Sequence, residues 1–139
     1  MALFARNKEM AVEGFVLKLL NTNCPDLQGR LEGPRLEGRV NLTLVVQIVP
    51  IEDGELALDR AFATVTKEFS SKGVAVVLPA PYGLDEALLG FRWRGGKTWI
   101  RAKARHLNPL GGGFYQLGFR MTEKICPADY PQLDSLPPV

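Results

Sequence analysis

The sequence predicts a mainly β domain whose strands form an antiparallel sheet, folded into a small barrel or sandwich of about six strands. Apolar and polar residues alternate in several short segments, as is typical of strands with one buried face. Most of these segments are separated by too few residues for a parallel crossover, which needs about a dozen or more. The chain has 139 residues, which is the size of a single domain.

Residues 5–20 are predicted to form a helix because their apolar side chains recur at helical spacing. These side chains are Met10, Val12, Phe15, Val16, Leu19 and Leu20. Gly14 weakens a helix, and the stretch "GFVLKLL" is also compatible with a strand, which stays open as the alternative. Residues 21–38 are rich in glycine and proline and therefore predict a loop.

Six later segments predict the strands of the sheet. They comprise residues 40–48, 58–66, 73–78, 88–93, 97–106 and 114–121. The first of them has the clearest pattern, because apolar side chains occupy every second position. Turns such as "EDGE" and "NPLGGG" separate the strands. The tail from residue 126 onward is expected to form one short helix.

The charge and the cysteines narrow the class of protein. A net charge of +2 at pH 7 is too small for bulk binding of nucleic acid. No apolar run reaches the roughly 18 residues of a transmembrane helix, and the N-terminus lacks the apolar core of a signal peptide. We therefore expect a cytoplasmic protein without membrane insertion. Cys24 and Cys126 have no metal-ligand neighbours in sequence, which favours two free thiols over a disulfide.

The sequence offers little material for catalysis. His106 is the single histidine, and a lone histidine is more often structural than catalytic. No cluster of cysteine, histidine or carboxylate has the spacing of a metal site. The "GGG" at 111–113 lies between two strands and is typical of a turn, unlike the phosphate-binding loop that opens a helix. We expect a non-enzyme with no metal and no cofactor.

Two arginines precede the first predicted strand at an RxxxR spacing. Arg35 and Arg39 would share one face of a helix, but Pro34 and Gly38 disfavour a helix here. The arginines are therefore expected on a turn that enters the strand. Arginine suits bidentate contacts with phosphate or with a purine edge. Taken alone, however, the spacing is typical of a solvated charged loop.

A second motif, "EFSSKG", precedes the apolar strand at 73–78. Glu68 and Ser70 place a carboxylate and a hydroxyl near the end of a strand. Gly73 is expected to adopt a positive φ at the turn. On its own, this motif is typical of a serine-rich turn.

Together and in this order, the two motifs resemble the PilZ family, whose pattern is RxxxR, about 30 residues, and then [D/N]xSxxG opening an apolar strand. Arg39 and Glu68 are 29 positions apart, and "GVAVV" follows directly. The stretch "GGGFYQLGFRM" is similar to the closing strand of the family. The resemblance covers residues 35–125, which leaves an N-terminal segment at 1–34 and a tail at 126–139.

The resemblance implies a six-stranded antiparallel barrel with a helix at its C-terminal side, and a bacterial receptor for the second messenger cyclic di-GMP. By the same resemblance, Arg35 and Arg39 would hold phosphates and guanine edges. Glu68 takes the position where the family has Asp or Asn, and it would face a guanine edge. Ser70 would add a hydrogen bond, and Gly73 would permit the close turn.

The chemistry of guanine agrees with these roles. Its O6 and N7 atoms are acceptors that suit an arginine fork, and its N1–H and N2–H₂ groups suit a carboxylate. Glu68 keeps the acceptor chemistry of Asp but is one methylene longer. This difference leaves open a protein of the PilZ type that acts as a protein–protein adaptor without nucleotide.

A stripe of cations follows in the segment from 92 to 105, which contains no acid. The cations are Arg92, Arg94, Lys97, Arg101, Lys103 and Arg105. By strand alternation, Trp99 and Arg101 are expected on the outer face of the barrel, where they are candidate secondary contacts for the ligand. A solvated exterior and a surface for single-stranded nucleic acid are the alternatives.

The sequence thus predicts a non-catalytic cyclic di-GMP receptor that changes its interaction with a protein partner when the ligand binds. The nucleotide-free adaptor is the alternative within the same family. A barrel that binds nucleic acid is the third hypothesis, and the small net charge disfavours it.

Overall fold

The computed structural model describes residues 2–23, 38–93 and 96–137. Helix α1 spans Ala2–Asn23. The eight strands are β1 (Val40–Asn41), β2 (Val45–Glu52), β3 (Glu55–Leu56), β4 (Phe62–Phe69), β5 (Gly73–Leu78), β6 (Glu86–Trp93), β7 (Gly96–Gly111) and β8 (Phe114–Ile125). Short 3-10 helices occupy Leu58–Arg60, Pro127–Asp129 and Pro131–Ser135. No helix in these ranges combines the length and the hydropathy needed to span a membrane.

Six of the strands form a closed antiparallel barrel in the order β4-β5-β8-β7-β6-β2, with β2 pairing back to β4. The closing pairs run from Val45 opposite Val65 to Ile48 opposite Phe62. The short strands β1 and β3 extend the sheet along β4 and β2. The predicted antiparallel six-stranded barrel is confirmed. The expected strand at 58–66 is shifted, since it begins at Phe62 and continues to Phe69.

Alternation along the strands separates an apolar interior from an outer face. On β5, Val74, Val76 and Leu78 point into the core, while Ala75 faces outward. On the partner strand β8, the buried side chains Leu117 and Phe119 enclose the outward-facing Gly118 in the same way. The period of two is therefore what fixes which residues are available on the outside of the barrel.

Helix α1 confirms the predicted N-terminal helix and closes the core of the barrel. Its buried side chains are Val12, Phe15, Val16, Leu19 and Leu20. The ring of Phe15 lies 5.7 Å from that of Phe91 in β6, centroid to centroid. The strand alternative for "GFVLKLL" is wrong, because these residues recur at helical spacing on one buried face.

Ion pairs also fix α1 to the barrel. Glu9 contacts Lys72 and Arg120, each at 3.2 Å, and the largely buried Glu13 lies 3.7 Å from Lys72. The hydrogen bond from Lys72 lowers the pKa of Glu9, and the charge of the same lysine adds to the effect. Lys72 belongs to the turn between β4 and β5, so the helix is tied to that turn as well as to the core.

A second apolar cluster lies on the outside of the barrel, where the C-terminal tail covers it. Its buried members are Val49, Leu88, Trp99, Ile125 and Leu133. The tail was expected to form one short helix, and it forms two consecutive 3-10 helices that bring Leu133 onto the cluster. One patch of the outer face is thereby removed from solvent.

The prediction that Trp99 is an exposed side chain is wrong, because only 5% of the residue is exposed. It does project outward from the barrel, but the tail covers it. Its ring lies against Gly90, its cross-strand partner in β6. A Cβ atom at Gly90 would come within 2.8 Å of two ring atoms of Trp99. Position 90 therefore requires glycine, because the Trp99 ring leaves no room for a side chain.

Arg101 is engaged with an acid on the neighbouring strand. Its Nε and Nη2 atoms donate to the two carboxylate oxygens of Glu86, each at 2.9 Å. This bidentate hydrogen bonding, together with the charge of Arg101, lowers the pKa of Glu86. The Arg101 guanidinium is thus a structural partner of Glu86 on the outer face.

Replacing Gly90 with alanine should destabilise the fold by about 1–3 kcal/mol, because the new methyl group overlaps a ring that the tail holds in place. The matched control is Gly14→Ala in α1, where a Cβ atom would meet nothing within 4 Å. That change should stabilise the fold by roughly 0.5–1 kcal/mol through helix propensity. Urea unfolding of both variants measures the difference, and equal effects at the two glycines would contradict the described packing.

The Glu86–Arg101 pair predicts a specific acid sensitivity. The pKa of Glu86 is lower in the folded state, so the pair stabilises the fold above the unfolded-state pKa of about 4.3. That stabilisation is lost as the pH falls through the folded-state pKa. Glu86→Gln should therefore reduce stability at pH 7, by up to about 1 kcal/mol for this partly exposed pair.

The gap in stability between this variant and the original protein should shrink at pH 3.5. Urea unfolding at the two pH values measures it. Glu55→Gln is the control, since Glu55 is exposed and has no ion pair within the described ranges. A gap that stays constant between pH 7 and pH 3.5 would count against the pair as its source.

Candidate ligand-binding site

A concave pocket of about 230 Å³ lies on the outer face of the barrel, where β5, β8 and β7 run side by side. Its floor consists of small residues, because Ala75 faces Gly118 across the β5–β8 pairing. The residues that line the pocket come from the position before β1, the end of β4, the β4–β5 turn, β5, β7 and β8. They are Arg39, Glu68, Phe69, Ser70, Gly73, Val74, Ala75, Arg105, His106, Asn108, Gln116, Gly118 and Phe119.

One wall of the pocket brings Arg39 of the first sequence motif beside Glu68 of the second. Arg39 lies just before β1, and β1 pairs with the end of β4 so that Asn41 is opposite Glu68. The Nη1 atom of Arg39 is 3.1 Å from Oε1 of Glu68. The arginine side chain is 73% exposed and the glutamate 20%, so the pair stands at the rim with the carboxylate toward the pocket.

The turn between β4 and β5 forms the end of this wall. The backbone N–H of Ser70 donates to the carbonyl of Gly73 at 2.9 Å, and the N–H of Gly73 donates back to Oγ of Ser70 at 3.1 Å. The Ser70 hydroxyl accepts this bond and donates none to another residue within the described part of the chain.

The expected positive φ at Gly73 is wrong, since Gly73 starts strand β5 and is not among the glycines with positive φ. Space explains the glycine instead. A Cβ atom here would lie 2.8 Å from Oγ of Ser70 and 3.4 Å from the carbonyl oxygen of Phe119. The serine and the glycine of the motif are therefore coupled by one close contact.

The opposite wall comes from β7 and β8 and contains residues that the sequence motifs did not single out. Arg105, His106 and Asn108 line it from β7, and Gln116 does so from β8. Gln116 accepts a hydrogen bond from Nζ of Lys67 at 3.0 Å. The break in alternation at "ARH", where two polar residues follow each other in a strand, is the sequence signal that could have identified this wall.

The remaining predicted ligand residues are not part of the pocket as described. Arg35 lies outside the described residues. Trp99 and Arg101 belong to the tail-covered cluster and to the pair with Glu86, and neither lines the pocket. The structure thus brings together Arg39, Glu68 and the Ser70–Gly73 turn, and it keeps the middle of β7 apart from them.

The chemistry of the pocket suits an anionic ligand that also carries hydrogen-bonding groups. Arg39 and Arg105 are cations, Glu68 is an acceptor, and Asn108 offers both donors and an acceptor. Within the described ranges, no three histidine, cysteine or carboxylate side chains are close enough together to hold a metal ion. Because sites for drug-sized ligands usually measure about 300–1,000 Å³, the pocket matches one part of such a ligand.

No family model matches this chain, and no curated protein matches it. Among solved structures, the chain is similar to that of the Bacillus subtilis inhibitor of motility (MotI/DgrA), with a TM-score of 0.47 and 21% sequence identity. The aligned part covers 70% of this chain and 46% of that chain, so the present chain spans about half the length of this neighbour.

The contact between Ser70 and Gly73 predicts non-additive stabilities. Gly73→Ala should destabilise the fold by about 1–3 kcal/mol through overlap with Oγ of Ser70. Ser70→Ala removes one hydrogen bond and should cost about 0.5–1.5 kcal/mol. The double variant should be more stable than the sum of the two effects predicts, because Ser70→Ala also removes the clashing oxygen. Urea unfolding of the four proteins measures this coupling, and strict additivity would refute the contact.

Proposed function

We propose that this chain is a non-catalytic, cytoplasmic receptor of the PilZ type that binds cyclic di-GMP in a bacterium. One observation carries the proposal, which is that Arg39 of the first motif meets the residues of the second motif at one concave site. Arg39 and Glu68 are 29 positions apart in sequence, yet they form an ion pair at the rim of the pocket that Ser70 and Gly73 also line. If the first motif were only a solvated loop and the second only a serine-rich turn, there would be no reason for their residues to lie together.

A guanine base could take the place of the ion pair between Arg39 and Glu68, by forming hydrogen bonds with both side chains. Arg39 would donate to O6 and N7 of the base, and Glu68 would accept from N1–H and N2–H₂. An exposed ion pair contributes only about 0–1 kcal/mol to stability, so opening it for the ligand costs little. Glu68 is less exposed than Arg39 and is already held toward the pocket, which favours it as the fixed partner.

Phosphate binding needs cations beyond the one that faces the base. Two phosphodiesters give the ligand a charge of about −2, and charge-assisted hydrogen bonds from guanidinium groups are the strong kind. Arg35, four positions before Arg39, is proposed for this role. The ligand would then join the segment before β1 to the outer face of the barrel and present a changed surface to a protein partner.

A second candidate is an adaptor of the same fold that binds a protein without nucleotide. Three large apolar side chains at the end of the β7–β8 hairpin favour it, since 40–50% of each is exposed. They are Leu107, Leu110 and Phe114. Large apolar side chains left exposed at one end of a hairpin favour a contact surface for another protein.

Calorimetric titration with cyclic di-GMP tests the proposed function. The original protein should bind, and Arg39→Ala should weaken binding about tenfold or more, because a hydrogen bond to a charged group contributes about 1.5–3 kcal/mol. Glu68→Ala should weaken it similarly, whereas Glu68→Asp should retain binding.

Arg60→Ala is the matched control for Arg39→Ala. Arg60 is also an exposed arginine paired with a glutamate, Glu52, and it lies away from the pocket. Its loss should leave the affinity unchanged. Absence of heat with the original protein at high ligand concentration would reject the receptor and leave the adaptor as the function to pursue.

A further inference from the structure

A β-bulge in strand β7 turns two consecutive side chains, Arg105 and His106, toward the pocket. The pairing of β7 with β8 passes from Ala104 opposite Phe119 directly to His106 opposite Gly118, so Arg105 is an extra residue. Such bulges change the alternation of side chains and often lie next to binding sites. As a result, Arg105 and His106 both line the pocket, and Asn108 follows them on the same side.

Arg105 differs in its pairing from the other arginine of the pocket. Arg39 has Glu68 as its partner. Within the described ranges Arg105 has no ion pair, and its side chain is on the exposed surface. An uncompensated guanidinium beside a concave polar site attracts an anion, most strongly a phosphate group with which it can form two hydrogen bonds.

Gly118, in the floor of the pocket, has no reason in the fold to be glycine. Its φ is not positive, in contrast to Gly111, Gly112 and Gly113. A Cβ atom at Gly118 would meet nothing nearer than the carbonyl oxygen of His106 at 3.8 Å, which is an ordinary contact. The missing side chain instead leaves free space between the two walls, as the close approach of a flat ring requires.

We propose that the bulged part of β7 forms a second half of the ligand site, in which Arg105 binds a phosphate of the nucleotide and Asn108 hydrogen-bonds to a base edge above Gly118. This inference rests on the proposed function, since it takes a cyclic dinucleotide as the ligand. The first half, Arg39 with Glu68, holds one guanine edge. The second half adds a cation and a carboxamide, neither of which belongs to the two sequence motifs.

The same geometry assigns distinct consequences to the three residues. Loss of Arg105 removes a charge, so it should weaken binding and also reduce the dependence of binding on salt. Loss of Asn108 removes only neutral hydrogen bonds and should leave the salt dependence unchanged. A side chain at position 118 takes up the volume of the ring and should prevent binding without changing the fold.

Calorimetric titration with cyclic di-GMP at two salt concentrations tests this proposal on four variants. Arg105→Ala should lower the affinity about tenfold, with a shallower salt dependence, and Asn108→Ala should lower it by several-fold. Gly118→Val should lower it by at least about tenfold, while its unfolding midpoint in urea stays close to that of the original protein. Lys103→Ala is the matched control, because it removes an exposed cation from β7 that does not line the pocket.

The outcomes separate this proposal from the proposed function. Binding by the original protein with unchanged affinity in Arg105→Ala and Gly118→Val overturns the second half of the site and leaves the receptor function intact. An equal loss of affinity in Lys103→Ala and Arg105→Ala also overturns it, because the effect would then be one of net charge. No binding by the original protein overturns both. If Gly118→Val fails to fold, the comparison of Arg105→Ala with Lys103→Ala decides.

Discussion

The pairing of β2 with β4 is the interaction on which the rest of the molecule depends. It closes the barrel, and its continuation toward the N-terminus carries β1 alongside the end of β4. Between the two paired stretches, the buried hydroxyl of Thr66 accepts from the N–H of Leu44 at 2.9 Å and donates to the carbonyl of Leu42 at 2.7 Å. These two hydrogen bonds hold the segment between β1 and β2 against β4, and Arg39 therefore lies beside Glu68. The first wall of the pocket is therefore a consequence of barrel closure.

Much of the fold could be predicted because its pattern is local. The apolar run of β5 predicts a strand, and the helical spacing of the apolar residues in α1 predicts its buried face. The meeting of Arg39 with Glu68 is not local, and only the order and spacing of two motifs pointed to it. Their physical link is the β1–β4 pairing, in which the residues directly after Arg39 face the end of β4. No single segment contains that information.

The parts that the sequence pattern did not predict depend on contacts between distant segments or on a defect in a strand. Alternation correctly placed Trp99 on the outer face, but its burial depends on Leu133, a residue 34 positions later, docking onto the same cluster. The second wall of the pocket depends on the bulge at Arg105, where one extra residue changes the face of every following side chain. A reading of β7 that assumes strict alternation misses this shift, although the adjacent polar residues Arg105 and His106 are a sign of it.

Two glycines on the outer face of the barrel have different surroundings. Gly90 is small because the ring of Trp99 lies against it, and the tail then seals that patch from water. Gly118 faces outward from β8 in a comparable way, but no side chain of the described chain occupies the space above it. In the proposed complex, the base of the nucleotide would occupy at Gly118 the place that the Trp99 ring takes at Gly90. Because the interior of the barrel is already packed with side chains, the outer face is where the chain leaves an open groove.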